Sequence, residues 1–289
     1  MQNNLLRAIV KLYQKCATEL PKDVFTALEK AKKTELTDSS AKIIETILEN
    51  AKLAKTNSLP ICQDTGTPIF YIKHKNNYPQ KELIKIINDA TAIATNEVPL
   101  RPNAVNPLTG ENSGNNTGLG FPIINFEEHD SDELEITLIL KGGGSENIGQ
   151  IYSLPNKELN ADRNIEGIRK CALDAIQKAQ GKGCSPTIVL IGIAGIMEQA
   201  VTIAKKQLLR KLYDENENSE LDKLEKQILN EANKLGIGPM GLGGNTTILA
   251  AKIGYAYRNP PSFFVNVSFN CWALRKTKLI YKNGEAKYE

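Results

Sequence analysis

Apolar residues recur at three- and four-residue spacing through the first sixty positions of this chain, and the period changes after that. Leu5, Leu6, Ile9, Val10, Tyr13, Cys16 and Leu20 fall on one face, which predicts a helix. Pro21 and Asp23 open a second helix carrying Val24, Phe25 and Leu28. Asp38, Ser39 and Ser40 offer caps for a third, with Ile43, Ile44, Ile47, Leu48 and Ala51 turned inward. IFYIK (69–73) then predicts a strand, and a helix follows over 80–95. LEITLIL (134–140) alternates apolar and polar residues as a half-buried strand does.

Further along, 160–180 predicts an amphipathic helix ending at Gly181 and Gly183, and TIVLIGIAG after it predicts a buried strand. Helices are expected over 196–212 and 219–235, joined by the acidic stretch YDENENSELD as a surface excursion. GIGPMGLGGNTT (236–247) reads as a glycine-rich turn opening a helix over 247–257. SFFVNVSFN (262–270) alternates as a strand and delivers Cys271. Residues 99–122 are dense in Pro, Gly and Asn; a loop that long inside a compact domain is usually functional or disordered, and its composition favours a packed, ligand-facing loop. The chain has no internal repeat and no low-complexity linker. These patterns predict an α+β fold in a single domain, 1–289. A helical N-terminal portion (1–59) precedes a mixed α/β region (60–276) with glycine-rich ligand-facing loops.

Composition narrows the class. The 41% hydrophobic and 24% charged fractions are those of an ordinary soluble globular protein. Thirty-six basic against 33 acidic residues give a net charge of +3, too balanced for a nucleic-acid partner. Lysine runs at 30–33 and 205–211 read as solvated helix faces. No secretory signal opens the chain and no uninterrupted apolar run reaches the ~18–20 residues that span a bilayer, so a cytoplasmic protein without a membrane partner is expected. Five cysteines in that setting point to thiols, metal or catalysis rather than a disulfide framework.

Cys16 and Cys171 lie on apolar helix faces and read as small hydrophobes. Cys62, Cys184 and Cys271 each follow Pro or Gly punctuation or close a strand. At their wide separation they read either as buried thiols or as three ligands of an iron–sulfur cluster whose fourth iron is open to substrate. Asp64, two residues from Cys62, either relays a proton or caps the Thr65–Gly66 turn. Arg101, followed by Pro102 in PLRPN, either binds a carboxylate or forms a surface ion pair. KGGGSEN (141–147) and GPMGLGGNTT (238–247) match neither a P-loop nor a dinucleotide fingerprint; their glycines suit backbone approach to a small anion or a cluster sulfide. A glycine-loop nucleotide or anion binder without a cluster stays open as a reading from another class. His74 and His129 sit in charged surroundings and read as solvated loop residues, which disfavours a histidine-based zinc site or triad.

ICQDTGTP, NPLTGENSGNNT, KGGGSEN, GCSPTIVLIGIAG, GIGPMGLGGNTT and NCWALRK occur in this order over 60–276. Together they resemble the alpha subunit, or N-terminal catalytic region, of the class I iron–sulfur fumarate hydratases and L(+)-tartrate dehydratases. The resemblance implies a [4Fe–4S] cluster on Cys62, Cys184 and Cys271, with one iron not ligated by protein. It also implies Asp64 in proton transfer, Gln63 at the substrate, Arg101 on a substrate carboxylate, and the backbone of Gly142, Gly143 and Gly144 lining the site. The implied reaction is the reversible hydration of the dicarboxylate fumarate to L-malate, with tartrate dehydration as the alternative. Two departures stand out: Asn259-Pro260 where family members often have His-Pro, and Asn116-Thr117-Gly118 where they often have Asn-Thr-Pro. Single-chain members continue into a second domain, so the resemblance implies a separate beta subunit and an α2β2 heterotetramer.

Overall fold

The computed structural model describes residues 2–75 and 78–289. Backbone packing divides the chain into two interleaved compact units: residues 1–21, 49–143 and 273–289 form the first, and 22–48 with 144–272 the second.

The first unit contains α1 (Gln2–Thr18), the C-terminal half of α3 (Asp38–Asn57), β1 (Thr67–His74), α4 (Gln80–Glu97), β2 (Ile123–Glu128), β3 (Leu134–Lys141), β8 (Lys276–Lys282) and β9 (Glu285–Tyr288). Its five strands form one mixed sheet in the order β2-β1-β3-β8-β9; β1 and β2 run parallel and the other neighbours antiparallel. The predicted alternation in β3 holds, since Leu134, Ile136, Leu138 and Leu140 enter the core with Phe70, Ile72, Leu279 and Tyr281. Helices α1 and α4 close that core with Leu5, Ile9, Leu12, Tyr13, Leu83 and Ile87. Full burial of one such side chain contributes about 1.5–3 kcal/mol. Cys16 is among them, fully buried, its thiol donating to the Leu138 carbonyl at 3.4 Å.

The second unit contains α2 (Lys22–Thr34), the short α5 (Gly143–Glu146) at its boundary, β4 (Gln150–Ser153), α6 (Ile165–Ala179), β5 (Thr187–Ala194), α7 (Met197–Lys206), α8 (Ser219–Asn233), β6 (Ile248–Tyr255) and β7 (Phe264–Asn270). Its sheet runs β4-β7-β5-β6, parallel only between β5 and β6. Helices α6 and α8 cover one face and α7 the other, which leaves every residue of β5 buried. Gly192 permits the close approach of α7: a Cβ there would stand 1.9 Å from the Ala200 carbonyl oxygen. Asn164 caps α6 through the Gly167 amide, and Asn218 caps α8 through those of Glu220 and Leu221, each cap worth ~1 kcal/mol. Cys171 is fully buried in this core, as its helix face predicts.

The architecture is α+β with a helical N-terminal portion. Several expectations need correction. The helix expected over 247–257 is strand β6, because its position beside β5, under α8 and α7, buries Ile248–Ile253 on both faces and erases the alternation. Strands β2 and β4 and the short α5 carry too few alternating residues, or too short a run, to have been predicted; β8, an alternating run that ends at an Asn-Gly pair, and β9 after it are further strands that the expectations lack. The helix expected over 160–180 begins only at Ile165. The acidic stretch after Tyr213 is not a free excursion: Asp214 and Asn216 are tied to β6 through Lys252 and the Ile253 carbonyl. His74 is 2% exposed rather than solvated, at the end of β1, edge-on to Phe126 with Nδ1 3.0 Å from the Lys75 carbonyl. Asn76 and Asn77, expected in the same solvated loop, lie outside the described residues.

Candidate active site

In the first unit the site builds from the turn between α3 and β1. Ile61 anchors it: its amide donates to the Ala17 carbonyl at 3.0 Å, and its carbonyl accepts from Asn50 Nδ2 at 2.9 Å. Cys62 and Asp64 are half-buried and Gln63 is exposed. Asp64 does more than cap its turn. Oδ1 accepts the Gly66 amide at 3.0 Å, while Oδ2 accepts the Gly143 amide at 2.7 Å, from the chain just beyond β3. Gly66 is required here, since it takes φ +85° and a Cβ on it would stand 2.7 Å from the Leu140 carbonyl carbon.

Thr65 ties the same turn to the 99–122 loop. Its buried Oγ1 accepts the Arg101 amide at 3.0 Å and Asn103 Nδ2 at 3.1 Å. The buried Asn116, at φ +58°, donates from Nδ2 to the Arg101 carbonyl at 2.9 Å and accepts the Asn103 amide at 2.6 Å. The backbone of Arg101 is therefore held on both sides while its side chain stays exposed, with no ion pair among the described residues. The packed loop expected from the sequence is present, and its asparagines do the packing. Asp64, Arg101, Gly142 and Gly143 come together in this unit; Gly144 begins the second.

A residue the sequence reading passed over completes the arrangement. Arg275, at the entrance to β8, is 2% exposed and its Nη1 donates to the Asp64 carbonyl. Its place in NCWALRK, four residues after Cys271, was the available signal; nothing local marks it as reaching Asp64.

In the second unit Cys184 occupies a left-handed turn, φ +55°, and is exposed. Its carbonyl accepts the Trp272 amide at 3.4 Å, which places Cys184 beside Cys271 at the end of β7. The second glycine run braces this turn. The Met240 amide donates to the Ser185 carbonyl at 2.8 Å, and Ser185 Oγ donates to the Gly238 carbonyl at 2.7 Å. The amides of Asn245 and Thr246 are taken by Glu35, each at 2.8 Å. The anion on this glycine-rich loop is thus the chain's own carboxylate. Burial works against ionisation of Glu35, but the hydrogen bonds from Thr246, Asn245 and Ser40 outweigh it and lower its pKa.

All five cysteines are thiols outside any disulfide. Burial pushes the Cys16 thiol up to about 12, against the nearby Arg275 charge, and pushes Cys171 up to about 12 with help from Asp174. Those two are packing residues. Cys62 belongs to the first unit and Cys184 and Cys271 to the second. Among the described residues, neither unit gathers three or more His, Cys, Asp or Glu side chains as a ready metal site. Cysteine thiolates are the soft donors that iron–sulfur clusters take, and in the second unit Cys184 and Cys271 stand beside each other. Asn259 lies in an exposed turn where its carbonyl accepts from Arg258 and from the Ser262 amide. No helix among the described residues is long and apolar enough to cross a membrane.

The profile of the fumarate hydratase (Fumerase) family matches residues 6–280. A protein of Geobacillus stearothermophilus provisionally named fumarate hydratase class I is 45% identical over 97% of this chain, which spans 58% of that relative's length. A Methanocaldococcus jannaschii protein provisionally named L(+)-tartrate dehydratase subunit alpha is 42% identical over 93% of this chain and 94% of its own length. The L(+)-tartrate dehydratase subunit alpha of Escherichia coli K12 is 32% identical over 96% of this chain and 91% of its own.

Proposed function

This chain belongs to the fumarate hydratase family, and from that premise we propose that it is the alpha subunit of a hydro-lyase that interconverts fumarate and L-malate. The observation that carries this reading is Asp64, a carboxylate fixed on two backbone amides in the turn that also bears Cys62. Cys62, Cys184 and Cys271 are the proposed ligands of a [4Fe–4S] cluster. When bound, such a cluster with one iron lacking a protein ligand supplies a Lewis acid to the substrate's carboxylate and hydroxyl.

The chain's own residues supply the rest. Addition of water to fumarate puts hydroxyl on one carbon and leaves carbanion character on its neighbour, beside a carboxylate. A proton must reach or leave that carbon, and the Asp64 carboxylate, whose orientation two amides fix, is the proposed relay. Arg101, its backbone locked by Thr65 and Asn116, presents a guanidinium for a substrate carboxylate, where its charge opposes the negative charge that develops. Gln63 and the exposed Gly144 offer further donors, while the Gly143 amide lines the site as the partner that holds Asp64. A separate beta subunit supplies the remaining substrate contacts in a cytoplasmic α2β2 assembly; the relatives named as alpha subunits support a partner of this kind.

Tartrate is the second reading, favoured by the two alpha-subunit relatives that this chain matches over most of their length. An anaerobic assay of the chain reconstituted with iron, sulfide and its beta subunit decides between them. Turnover of fumarate and malate in excess of tartrate is expected. Preferential tartrate turnover replaces fumarate as substrate; no turnover of any of the three, or a reconstituted protein without visible absorption, overturns the proposal. Substitution of Cys62, Cys184 or Cys271 by serine is expected to abolish both activity and colour.

A further inference from the structure

Arg275 is a buried cation that pairs with no carboxylate among the described residues. Its backbone position is set by the sheet: the Arg275 carbonyl accepts the Leu140 amide at 3.0 Å, one residue ahead of β8. From there the side chain reaches the Asp64 turn. Nη1 donates to the Asp64 carbonyl, Nε meets no acceptor, and no ion pair forms to Arg275 among the described residues. A guanidinium 2% exposed, hydrogen-bonded to a backbone carbonyl and paired with no carboxylate among the described residues, is an unfavourable way to fill a core, because its desolvation is not offset by an opposite charge.

Gly142 marks where the cation and the nearby carboxylate approach each other. A Cβ on Gly142 would stand 3.0 Å from Arg275 Nη2 and 3.2 Å from Asp64 Oδ2. The guanidinium and the carboxylate therefore flank the same glycine without pairing. Asp64 keeps Oδ1 on the Gly66 amide and Oδ2 on the Gly143 amide, while Arg275 grips its main chain from behind. An Arg275–Asp64 ion pair would draw the carboxylate off those amides; hydrogen bonding to the carbonyl instead fixes the residue and leaves its carboxylate in place.

We infer that Arg275 is a positioning residue for Asp64, holding its backbone so that the carboxylate keeps one orientation on the Gly66 and Gly143 amides. This inference rests on the reading of Asp64 as a catalytic residue. It is tested with Arg275→Met, Arg275→Lys and Gly142→Ala in the full chain, measuring amide hydrogen exchange at Gly66 and Gly143, thermal unfolding, and steady-state kinetics of the reconstituted pair with fumarate. Arg275→Met is expected to melt close to the parent, since it removes an uncompensated buried charge, yet to exchange about tenfold faster at both amides, as loss of one charged hydrogen bond predicts. Its kcat should fall about 100-fold with KM little changed, the signature of a misplaced catalytic group. Arg275→Lys should recover most of the exchange protection and part of kcat. Gly142→Ala, which forces the two flanking groups to shift, should speed exchange at Gly143 and lower kcat.

Parent-like exchange in Arg275→Met overturns the inference, as does a fall in kcat without a change in exchange. Should Arg275→Met fail to fold, Gly142→Ala decides: parent-like exchange and kcat in that variant overturn the inference. If the parent pair turns over no dicarboxylate, the proposed function fails by itself, and the exchange measurement alone decides the role of Arg275.

Discussion

Lys252 Nζ stands 2.5 Å from Asp214 Oδ1 and also donates to the Asp214 carbonyl at 3.0 Å, which pins the acidic segment to strand β6. Glu225 on α8 completes the cluster, 3.8 Å from Lys252 and 2.6 Å from Arg210, and it also accepts the Ile253 amide at 2.7 Å. Lys252 and Glu225 side chains are each 6% exposed. Two cations and two anions thus balance in a cluster whose Lys252 and Glu225 are buried and whose Arg210 and Asp214 are half-buried, and together they fix the edge strand of the second unit.

Glu225→Ala leaves Lys252 and Arg210 short of an anion and the Ile253 amide without its acceptor. Removing one member of a buried ionic group costs about 3–5 kcal/mol. Urea unfolding of the variant is therefore expected to show a midpoint well below the parent's; a shift within the range of ordinary surface substitutions contradicts this account.

The carboxylate of Glu35 is held below its usual pKa, so its contribution to stability is present above the ordinary carboxylate range and is lost as pH falls through the depressed folded value. Glu35→Gln should accordingly melt below the parent at neutral pH. The gap should narrow as the solution is acidified below about pH 4. A gap that stays constant or widens in acid contradicts the assignment of Glu35 as the carboxylate on the Asn245 and Thr246 amides.

Thiol chemistry separates the cysteines. Cys16 and Cys171 are fully buried with pKa values pushed up to about 12, whereas Cys184 is exposed. Iodoacetamide applied to the native, cluster-free chain near neutral pH should label Cys184 and spare Cys16 and Cys171. Peptide mapping reads the outcome directly, and labelling of either buried thiol at the rate of Cys184 goes against it.

Gly66→Ala forces a side chain into a left-handed backbone conformation, about 1–2 kcal/mol unfavourable by itself, and sets its Cβ against Leu140. The substituted turn must shift, and Asp64 with it. Lower stability by urea unfolding is expected together with loss of hydratase activity in the reconstituted pair; full activity removes the turn geometry from the mechanism.

Some elements were legible and passed over. Asn283 and Gly284, both at positive φ, form the two-residue turn between β8 and β9, and an Asn-Gly pair between alternating runs is a strong hairpin signal. Others carried no such mark. Strand β6 reads ILAAKIGY, with alanines and a lysine that favour a helix, and only its pairing with β5 and the cluster around Lys252 make it extended.

The amino-acid sequence alone determined the three N-terminal helices, α4, strands β1, β3, β5 and β7, and the burial of Cys16 and Cys171 on apolar helix faces. Those features follow from periodicity and from Pro and Gly punctuation, which act over a few residues. Tertiary structure decided that 248–255 is a strand, that Glu35 occupies the amides of the second glycine-rich loop, and that Arg275 reaches Asp64. Each depends on hydrogen bonds or burial between segments far apart in the chain, where local spacing carries no information about which groups will meet.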